Sequence, residues 1–201
     1  STALLTQVED MTIRHFTDSQ IIDILYLDPT WRRGEDYGKQ QLFELFEVLK
    51  GYPCSILAIW TVNFILVDLV DLLAKNNFEV IHTLDWIKLT SRNKLMKTKG
   101  YYLQHSKETL VIAKKTGVKM ADIATVPEDT LSPSFIQERQ VLAGAKPQSV
   151  MSLLESWFDK STVRVELFAR HNNLRSGWIS LGNELSGPGL HAVIVPFSRS
   201  E

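Results

Sequence analysis

The sequence predicts a three-layer α/β sandwich, in which a mainly parallel β-sheet lies between two layers of helices. The 201 residues suffice for one core but not for two large domains. Short runs of apolar residues alternate with longer segments of helical periodicity, and the runs are almost continuously apolar, as in strands buried on both faces. We therefore expect residues 1–201 to form a single domain. The missing initiator Met leads us to expect a fragment of a longer chain.

The first strand and the first helix follow from local patterns. Residues 21–27 are an apolar, β-branched run that stops at Asp28 and Pro29, which predicts a strand. Residues 39–50 predict an amphipathic helix that Gly51 ends. Its apolar side chains recur at helical spacing, at Leu42, Leu45, Phe46 and Leu49.

The remaining elements continue the alternation. Residues 55–60 predict a second buried strand, and Asn63 is expected to cap a helix that runs to about Asn76. Residues 121–145 contain two prolines and predict a long irregular surface loop. The other predicted elements are strands at residues 78–88, 108–115 and 162–168 and a helix at residues 148–158.

Composition excludes several classes of protein. The net charge is −1 at pH 7, so a nucleic-acid surface must come from local clustering of cations. Cys54 is the only cysteine, which excludes a disulfide framework and a zinc site built on several cysteines, and no metal site is expected. Residues 56–74 are apolar, but Asp68 and Asp71 would each cost about 2.5–3.5 kcal/mol at a bilayer centre. We therefore expect no membrane partner.

Residues 88–107 form a basic segment, predicted to be an excursion between two strands, that contains no acidic residue. Its cations are Lys88, Arg92, Lys94, Lys97, Lys99 and Lys107. One interpretation is a solvated basic loop. The other is a loop that contacts nucleic acid or a protein partner, in which Tyr101 and Tyr102 stack on bases. Spacing alone leaves both interpretations open.

A short polar motif, Asp28-Pro29-Thr30-Trp31, follows the first predicted strand. Ligands of parallel α/β sheets collect beyond the carboxyl ends of the strands. The exocyclic amine of adenine is a poor nucleophile because its lone pair is delocalised into the ring. A carboxylate and a backbone carbonyl that accept its two hydrogens reorient that lone pair, while an aromatic ring holds the base. The alternative is a strand-ending Asp-Pro turn followed by a core tryptophan.

Two longer motifs favour the first interpretation. Together with residues 28–31, residues 166–170 (Glu-Leu-Phe-Ala-Arg) and 177–184 (Gly-Trp-Ile-Ser-Leu-Gly-Asn-Glu) resemble the MT-A-type family of nucleic-acid adenine-N6 methyltransferases. The resemblance extends over about residues 10–185. It implies a Rossmann-like class I methyltransferase fold, S-adenosyl-L-methionine as methyl donor, DNA or RNA as a partner, and a nuclear location. It also implies a heterodimer, with further nucleic-acid-binding subunits as additional partners.

The resemblance also assigns residues to a site. Asp28, Pro29 and Trp31 are expected to surround the acceptor amine, and Phe168 to pack near the adenine of the donor. The basic segment matches the part that family heterodimers use at their subunit interface and nucleic-acid groove. The other residues expected to contact the donor are Asp10, Met11, Lys146, Arg170, Asn173, Asn183 and Glu184.

Thr30 is the main departure from the family motif, whose active members carry a second proline there. Proline fixes φ near −65°, whereas threonine restores an N–H and conformational freedom. A displacement of about 1 Å can cost about a hundredfold in rate. The leading hypothesis is therefore a degenerate subunit that stabilises a catalytic adenine-N6 methyltransferase partner and helps to bind nucleic acid. The alternatives are a chain that is itself catalytic and a nucleic-acid-binding module with no donor site.

Overall fold

The computed structural model describes residues 21–31, 35–99, 103–125, 134–142, 144–161, 163–182, 185 and 191–194. Two short 3₁₀ turns lie at Asn63–Ile65 and His171–Asn173. The helices and strands in chain order are β1 (Ile22–Leu27), α1 (Glu35–Leu49), β2 (Cys54–Thr61), α2 (Leu66–Lys75), β3 (Phe78–Leu89), β4 (Lys107–Lys115), α3 (Met120–Ile123), β5 (Phe135–Arg139), α4 (Gln148–Trp157), β6 (Arg164–Leu167), β7 (Ile179–Gly182) and β8 (His191–Ile194).

These strands form one mixed sheet in the order β5-β3-β4-β2-β1-β6-β7-β8. β4 is antiparallel to β2 and β3, and β8 is antiparallel to β7, whereas the other neighbours are parallel. The prediction of a mainly parallel sheet is therefore confirmed. Leu27 pairs with both Ile59 and Leu167. The segments that follow β1 and β6 consequently leave the sheet side by side, at the edge where ligands of such sheets bind.

Helices cover both faces of the sheet. On one face, Leu45 of α1 and Leu69 of α2 share a core with Leu57 of β2. On the other face, Leu154 of α4 shares a second core with Tyr26 of β1. Full burial of a leucine contributes about 1.5–3 kcal/mol, so each core stabilises one helix layer on the sheet. The predicted three-layer sandwich is confirmed.

Two predictions about helices and loops are wrong. Asn63 does not cap α2, because it is the first residue of a 3₁₀ turn, and neither that turn nor α2 has a side-chain capping bond. Residues 121–145 are not irregular throughout, because most of α3 and all of β5 lie within them. Since β5 pairs with β3 along the backbone and alternates exposed with partly buried residues, its sequence shows no continuous apolar run.

The late strands also differ from prediction. The strand expected at residues 162–168 spans only Arg164–Leu167, because Phe168 takes a φ of 62° and cannot continue it. β7 and β8 are short strands that the sequence did not predict. The apolar residues 56–74 divide between β2, a 3₁₀ turn and α2. In the part of the chain that the structure describes, no helix is long and apolar enough to cross a membrane.

Candidate active site

Charged residues from distant parts of the chain meet at the carboxyl end of β1. Asp28 follows β1 directly and is only 7% exposed. The ammonium Nζ of Lys146, which lies just before α4, is 2.8 Å from Asp28 Oδ1. A buried carboxylate needs such a partner, since an unpaired charge is strongly disfavoured away from water. The pairing shows that Asp28 is a member of a charged site and does more than end a strand.

The pair extends into a row of alternating charges. Lys146 Nζ also lies 2.7 Å from Glu108 Oε2 at the start of β4, and Lys88 at the end of β3 pairs with the other oxygen of Glu108. The two ammonium groups also contact aromatic faces, with Lys146 Nζ 5.2 Å from the centre of the Trp60 ring. Cation–π contacts of this kind are worth about 0.5–2 kcal/mol. We call Asp28, Lys146, Glu108 and Lys88 the ion row.

The electrostatics of the ion row follow from burial and from its order. Burial raises the pKa of Asp28, and the opposing attraction of Lys146 does not cancel that effect. Burial also acts against charge on Lys146, but Asp28 and Glu108 outweigh it and raise the pKa of this ammonium. For Glu108, burial is outweighed by Lys146 and Lys88, so its pKa is lowered. Lys146 and Glu108 are therefore charged at neutral pH, and Asp28 is a stronger base than an ordinary aspartate.

Residues 28–31 form a turn that three hydrogen bonds tie to Gln41, Arg170 and Trp60. The side-chain amide of Gln41 donates to the Thr30 carbonyl over 2.6 Å, and Arg170 Nη2 donates to Thr30 Oγ1 over 3.5 Å. Arg170 Nη1 also donates to the Gly144 carbonyl over 3.1 Å. The indole N–H of Trp31 donates to the Trp60 carbonyl over 2.9 Å, and its half-buried ring packs on the core beneath α1. Arg170 thus lies beside the turn.

A second buried carboxyl lies beside the ion row on β6. Glu166 has no exposed surface and accepts hydrogen bonds from Ser180 Oγ, at 3.1 Å, and Asn173 Nδ2, at 3.4 Å. Burial is the main cause that raises its pKa to about 7, and Asp28 adds to it. Asn173 Oδ1 is buried and has no hydrogen-bond partner among the residues described. Such an orphaned acceptor is costly to bury unless a ligand or another group donates to it.

The segment between β6 and β7 is held against α4. Arg175 makes a bidentate pair with Glu155, at 2.7 Å for each bond, and the indole N–H of Trp178 donates to the same carboxylate over 2.7 Å. The Trp178 ring meets Tyr26 edge to face, with ring centroids 6.0 Å apart. This clamp fixes the segment that carries Asn173. Phe168, predicted to pack near the donor adenine, is partly buried against the core beneath α1.

In its described residues, 88–99 and 103–107, the basic segment forms an arm between β3 and β4, with isolated bridges between Leu89 and Leu95 and between Thr98 and His105. Two of its predicted contact residues are engaged elsewhere: Lys88 belongs to the ion row, and Lys107 Nζ pairs with Asp85 over 2.7 Å. The other cations are exposed and form no ion pair with any described residue, namely Arg92, Lys94, Lys97 and Lys99.

The structure brings together most of the predicted site residues that it describes. Lys146 pairs with Asp28, Arg170 contacts Thr30 two residues further along the chain, and Asn173 donates to Glu166. The structure also adds three residues that the sequence did not assign to the site: Gln41, Glu108 and Glu166. Six other predicted residues lie outside the described part of the chain, namely Asp10, Met11, Tyr101, Tyr102, Asn183 and Glu184.

Of the three added residues, only Glu166 could have been recognised from the sequence. Glu166 is an acid within an apolar run, which is a recognisable sign of a buried carboxyl. Gln41 and Glu108 gave no sequence signal, because their partners are 11 and 38 residues away. Their contacts depend on helix docking and on the order of the strands.

Known proteins with similar sequences are adenosine methyltransferases by name. A putative N(6)-adenosine-methyltransferase MT-A70-like protein of Medicago truncatula is 31% identical over 113 residues, which cover 55% of this chain and 17% of that protein. The N(6)-adenosine-methyltransferase catalytic subunit METTL3 of Homo sapiens is 26% identical over 116 residues, which cover 55% of this chain and 18% of that protein. The matched segments thus span less than a fifth of these relatives.

A solved structure and a family model complete the comparison. The fold is similar to the crystal structure of the M1.HpyAVI–SAM complex, with a TM-score of 0.60, 14% identity, and coverage of 83% of this chain and 81% of that chain. This similarity confirms the Rossmann-like methyltransferase fold. The MT-A70 family model matches residues 38–184, which is well over half of the sequence. The chain therefore belongs to the MT-A70 family.

Proposed function

We propose that this chain is the methyltransferase domain of an adenine-N6 methyltransferase that acts on nucleic acid and is itself catalytic. The observation that carries the proposal is the ion row, in which buried Asp28 is held 2.8 Å from Lys146 at the carboxyl end of β1. Keeping four charges in this arrangement costs desolvation energy, which a purely structural domain has no need to spend. The names of the sequence relatives support adenine N6 as the acceptor.

The residues at this edge of the sheet fit S-adenosyl-L-methionine as the donor. Lys146 and Arg170 supply cations for its carboxylate, and the buried acceptor Asn173 Oδ1 has no partner in the described residues and suits a ribose hydroxyl. When bound, this donor supplies an electrophilic methyl group on a sulfonium. The described residues thus offer both cations and an unsatisfied acceptor, the groups that its polar parts require.

The residues of the turn suit the acceptor amine. The Asp28 carboxylate accepts one N–H of the adenine amine and the Pro29 carbonyl accepts the other, which turns the nitrogen lone pair toward the methyl group. The raised pKa of Asp28 strengthens this acceptor and lets it take up the proton that the amine loses. Because Trp31 is anchored through its indole N–H, its ring can hold the base in a fixed orientation.

A labelled methyl group tests this proposal. The chain is incubated with donor carrying a trideuterated methyl group and with adenine-containing RNA or DNA oligonucleotides, and N6-methylated nucleosides are quantified by mass spectrometry. We expect a mass-shifted product from the wild type and a loss of at least about a hundredfold in Asp28→Asn, because a charged acceptor is replaced. The control is Asp71→Asn, an exposed position on α2, which should keep wild-type activity.

Absence of the labelled product from the wild type would contradict the catalytic proposal and favour the second candidate. That candidate is a degenerate subunit that stabilises a catalytic partner in a heterodimer, and Thr30 favours it, because an exposed threonine stands in the motif turn. Activity gained by Thr30→Pro would then support the degenerate-subunit account.

The exposed part of the basic segment is our candidate for the nucleic-acid contact. A nuclear location stays a prediction. Four cations that are free of described ion pairs are clustered there, and phosphate contacts of this kind make binding depend on salt. Replacing Arg92, Lys94, Lys97 and Lys99 by glutamine should weaken oligonucleotide binding and reduce its salt dependence. Unchanged binding in a fluorescence anisotropy titration would place the contact on another surface.

A further inference from the structure

The turn of residues 28–31 has one residue whose backbone is not fixed by the site itself. Asp28 is held by Lys146, Pro29 has its φ fixed by its ring, and Trp31 is anchored through its indole N–H. Thr30 is exposed between them. Its hydroxyl bond to Arg170, at 3.5 Å, is at the limit of a hydrogen bond, so Thr30 depends on its carbonyl for a firm attachment.

We propose that Gln41 is a positioning residue for this turn, and that its side-chain amide fixes the Thr30 carbonyl so that Asp28 and Trp31 keep their places. The bond is short, at 2.6 Å between Gln41 Nε2 and the Thr30 oxygen. It joins residues 11 positions apart in the chain. The expected effect of Gln41 on catalysis rests on the proposed function. The attachment of the turn by Gln41 does not depend on that function.

The helix that presents Gln41 is firmly seated. A Cβ on Gly38 would lie 2.7 Å from side-chain atoms of both Phe64 and Ile65, so α1 approaches the 3₁₀ turn before α2 as closely as a glycine permits. One residue after Gln41, Leu42 is buried in the core. A side chain on such a rigid element positions a neighbouring turn better than one on a mobile loop.

The chain contains a matched control for this contact. Gln40 is adjacent on the same helix and has the same side chain, but its amide donates to Glu44 of α1 over 3.0 Å. Replacing Gln40 by leucine therefore removes an amide of identical chemistry that does not reach the turn. Proline at position 30 is an independent way to restrict the turn. It removes no backbone hydrogen bond among the described residues, because none uses the Thr30 N–H, and the only side-chain bond it removes there is the 3.5 Å contact from Arg170 to the Thr30 hydroxyl.

Hydrogen exchange of the Trp31 indole N–H tests the proposal without donor or substrate. The chain has five tryptophans, and their indole N–H signals are followed by NMR in protein labelled with 15N-tryptophan, with Trp31→Phe identifying one signal. We expect exchange of that proton to be about two- to tenfold faster in Gln41→Leu. Exchange in Gln40→Leu should equal the wild type, and Thr30→Pro added to Gln41→Leu should restore slow exchange.

Two results would overturn the inference. One is equal exchange in Gln41→Leu and Gln40→Leu. The other is a Thr30→Pro change that slows exchange of the Trp31 indole N–H by the same factor in the wild type and in Gln41→Leu, because the two substitutions would then act independently. If the wild type transfers methyl groups, Gln41→Leu should lower kcat by up to about tenfold and leave the KM for the donor unchanged. A wild type that transfers none contradicts the proposed function alone, since the exchange comparison still decides the role of Gln41.

Discussion

Replacing Glu166 by glutamine should stabilise the protein at alkaline pH. Glu166 has no exposed surface, and its pKa is raised from 4.5 to about 7. A pKa shift of one unit corresponds to about 1.4 kcal/mol, so ionising Glu166 in the folded protein costs on the order of 3 kcal/mol more than ionising it in the unfolded chain. Glutamine has nearly the same shape and cannot ionise. Its oxygen can accept the Ser180 hydroxyl, and its amide can donate to Asn173 Oδ1 once the Asn173 amide turns over, because Asn173 Nδ2 is the atom that faces Glu166 in the wild type.

The sign of the effect follows from proton binding. Between pH 4.5 and 7 the native state holds the Glu166 proton and the unfolded state does not, so the stability of the wild type falls as pH rises and levels off above about pH 7. Glu166→Gln removes this contribution. At pH 8 we expect the variant to be more stable by about 1–3 kcal/mol, or roughly 3–10 °C in Tm. At pH 5 the two proteins should differ by less than about 1 kcal/mol, since Glu166 is then largely neutral.

Urea unfolding followed by circular dichroism from pH 5 to 8.5 measures the effect. Glu47→Gln is the control, because Glu47 is exposed and, among the described residues, pairs only with Lys50 just after α1, so the free energy of unfolding should change by less than about 1 kcal/mol. A Glu166→Gln variant that is less stable than the wild type at pH 8 would refute the reasoning. So would a difference that is the same at every pH.

Two further substitutions probe the site. Lys146→Met leaves the buried Asp28 carboxylate and the partly buried Glu108 carboxylate without their shared cation, so we expect a loss of about 3–5 kcal/mol in urea unfolding at pH 8. Lys114→Met, which removes a pair with a half-exposed glutamate, should cost about 1 kcal/mol or less, and equal losses would argue against the ion row. Gly144→Ala and Gly117→Ala both introduce a Cβ at positive φ, but only at Gly144 would that Cβ overlap the Arg170 guanidinium. Both variants should lose about 1 kcal/mol of stability. Only Gly144→Ala should weaken donor binding in a calorimetric titration. Equal donor affinities in the two variants would show that Arg170 does not contact the donor.

The part of the fold that local patterns determine could be predicted from the sequence. β1 is an apolar run that only Asp23 interrupts and that stops before Pro29, and α1 repeats its apolar residues at helical spacing, so burial and turn chemistry alone indicate both. β5 and β7 could not be recognised in the same way. β5 is an edge strand with alternating exposure, and β7 has only four residues, so pairing with β3 and β6 stabilises them more than their own composition does.

The site was predictable where motif residues lie at strand ends. Asp28 and Arg170 follow two neighbouring parallel strands, so their proximity follows from the topology. The pairing of Lys146 with Glu108 requires β4 to insert antiparallel next to β2, a feature that no local pattern contains. The contact between Gln41 and Thr30 also depends on tertiary packing. The sequence indicates only that Thr30 is less rigid than proline, whereas in the structure Gln41 attaches the Thr30 carbonyl to α1.

Calorimetric titration of the chain with S-adenosyl-L-methionine tests the central claim most directly. If the carboxyl ends of β1 and β6 form the donor site, the wild type should bind the donor with a Kd in the micromolar range. Arg170→Ala should weaken that binding by about 10- to 100-fold, the value of a charge-assisted hydrogen bond, and Arg92→Ala on the exposed arm should leave it unchanged. No binding heat at millimolar donor, or equal affinities in Arg170→Ala and the wild type, would contradict the account.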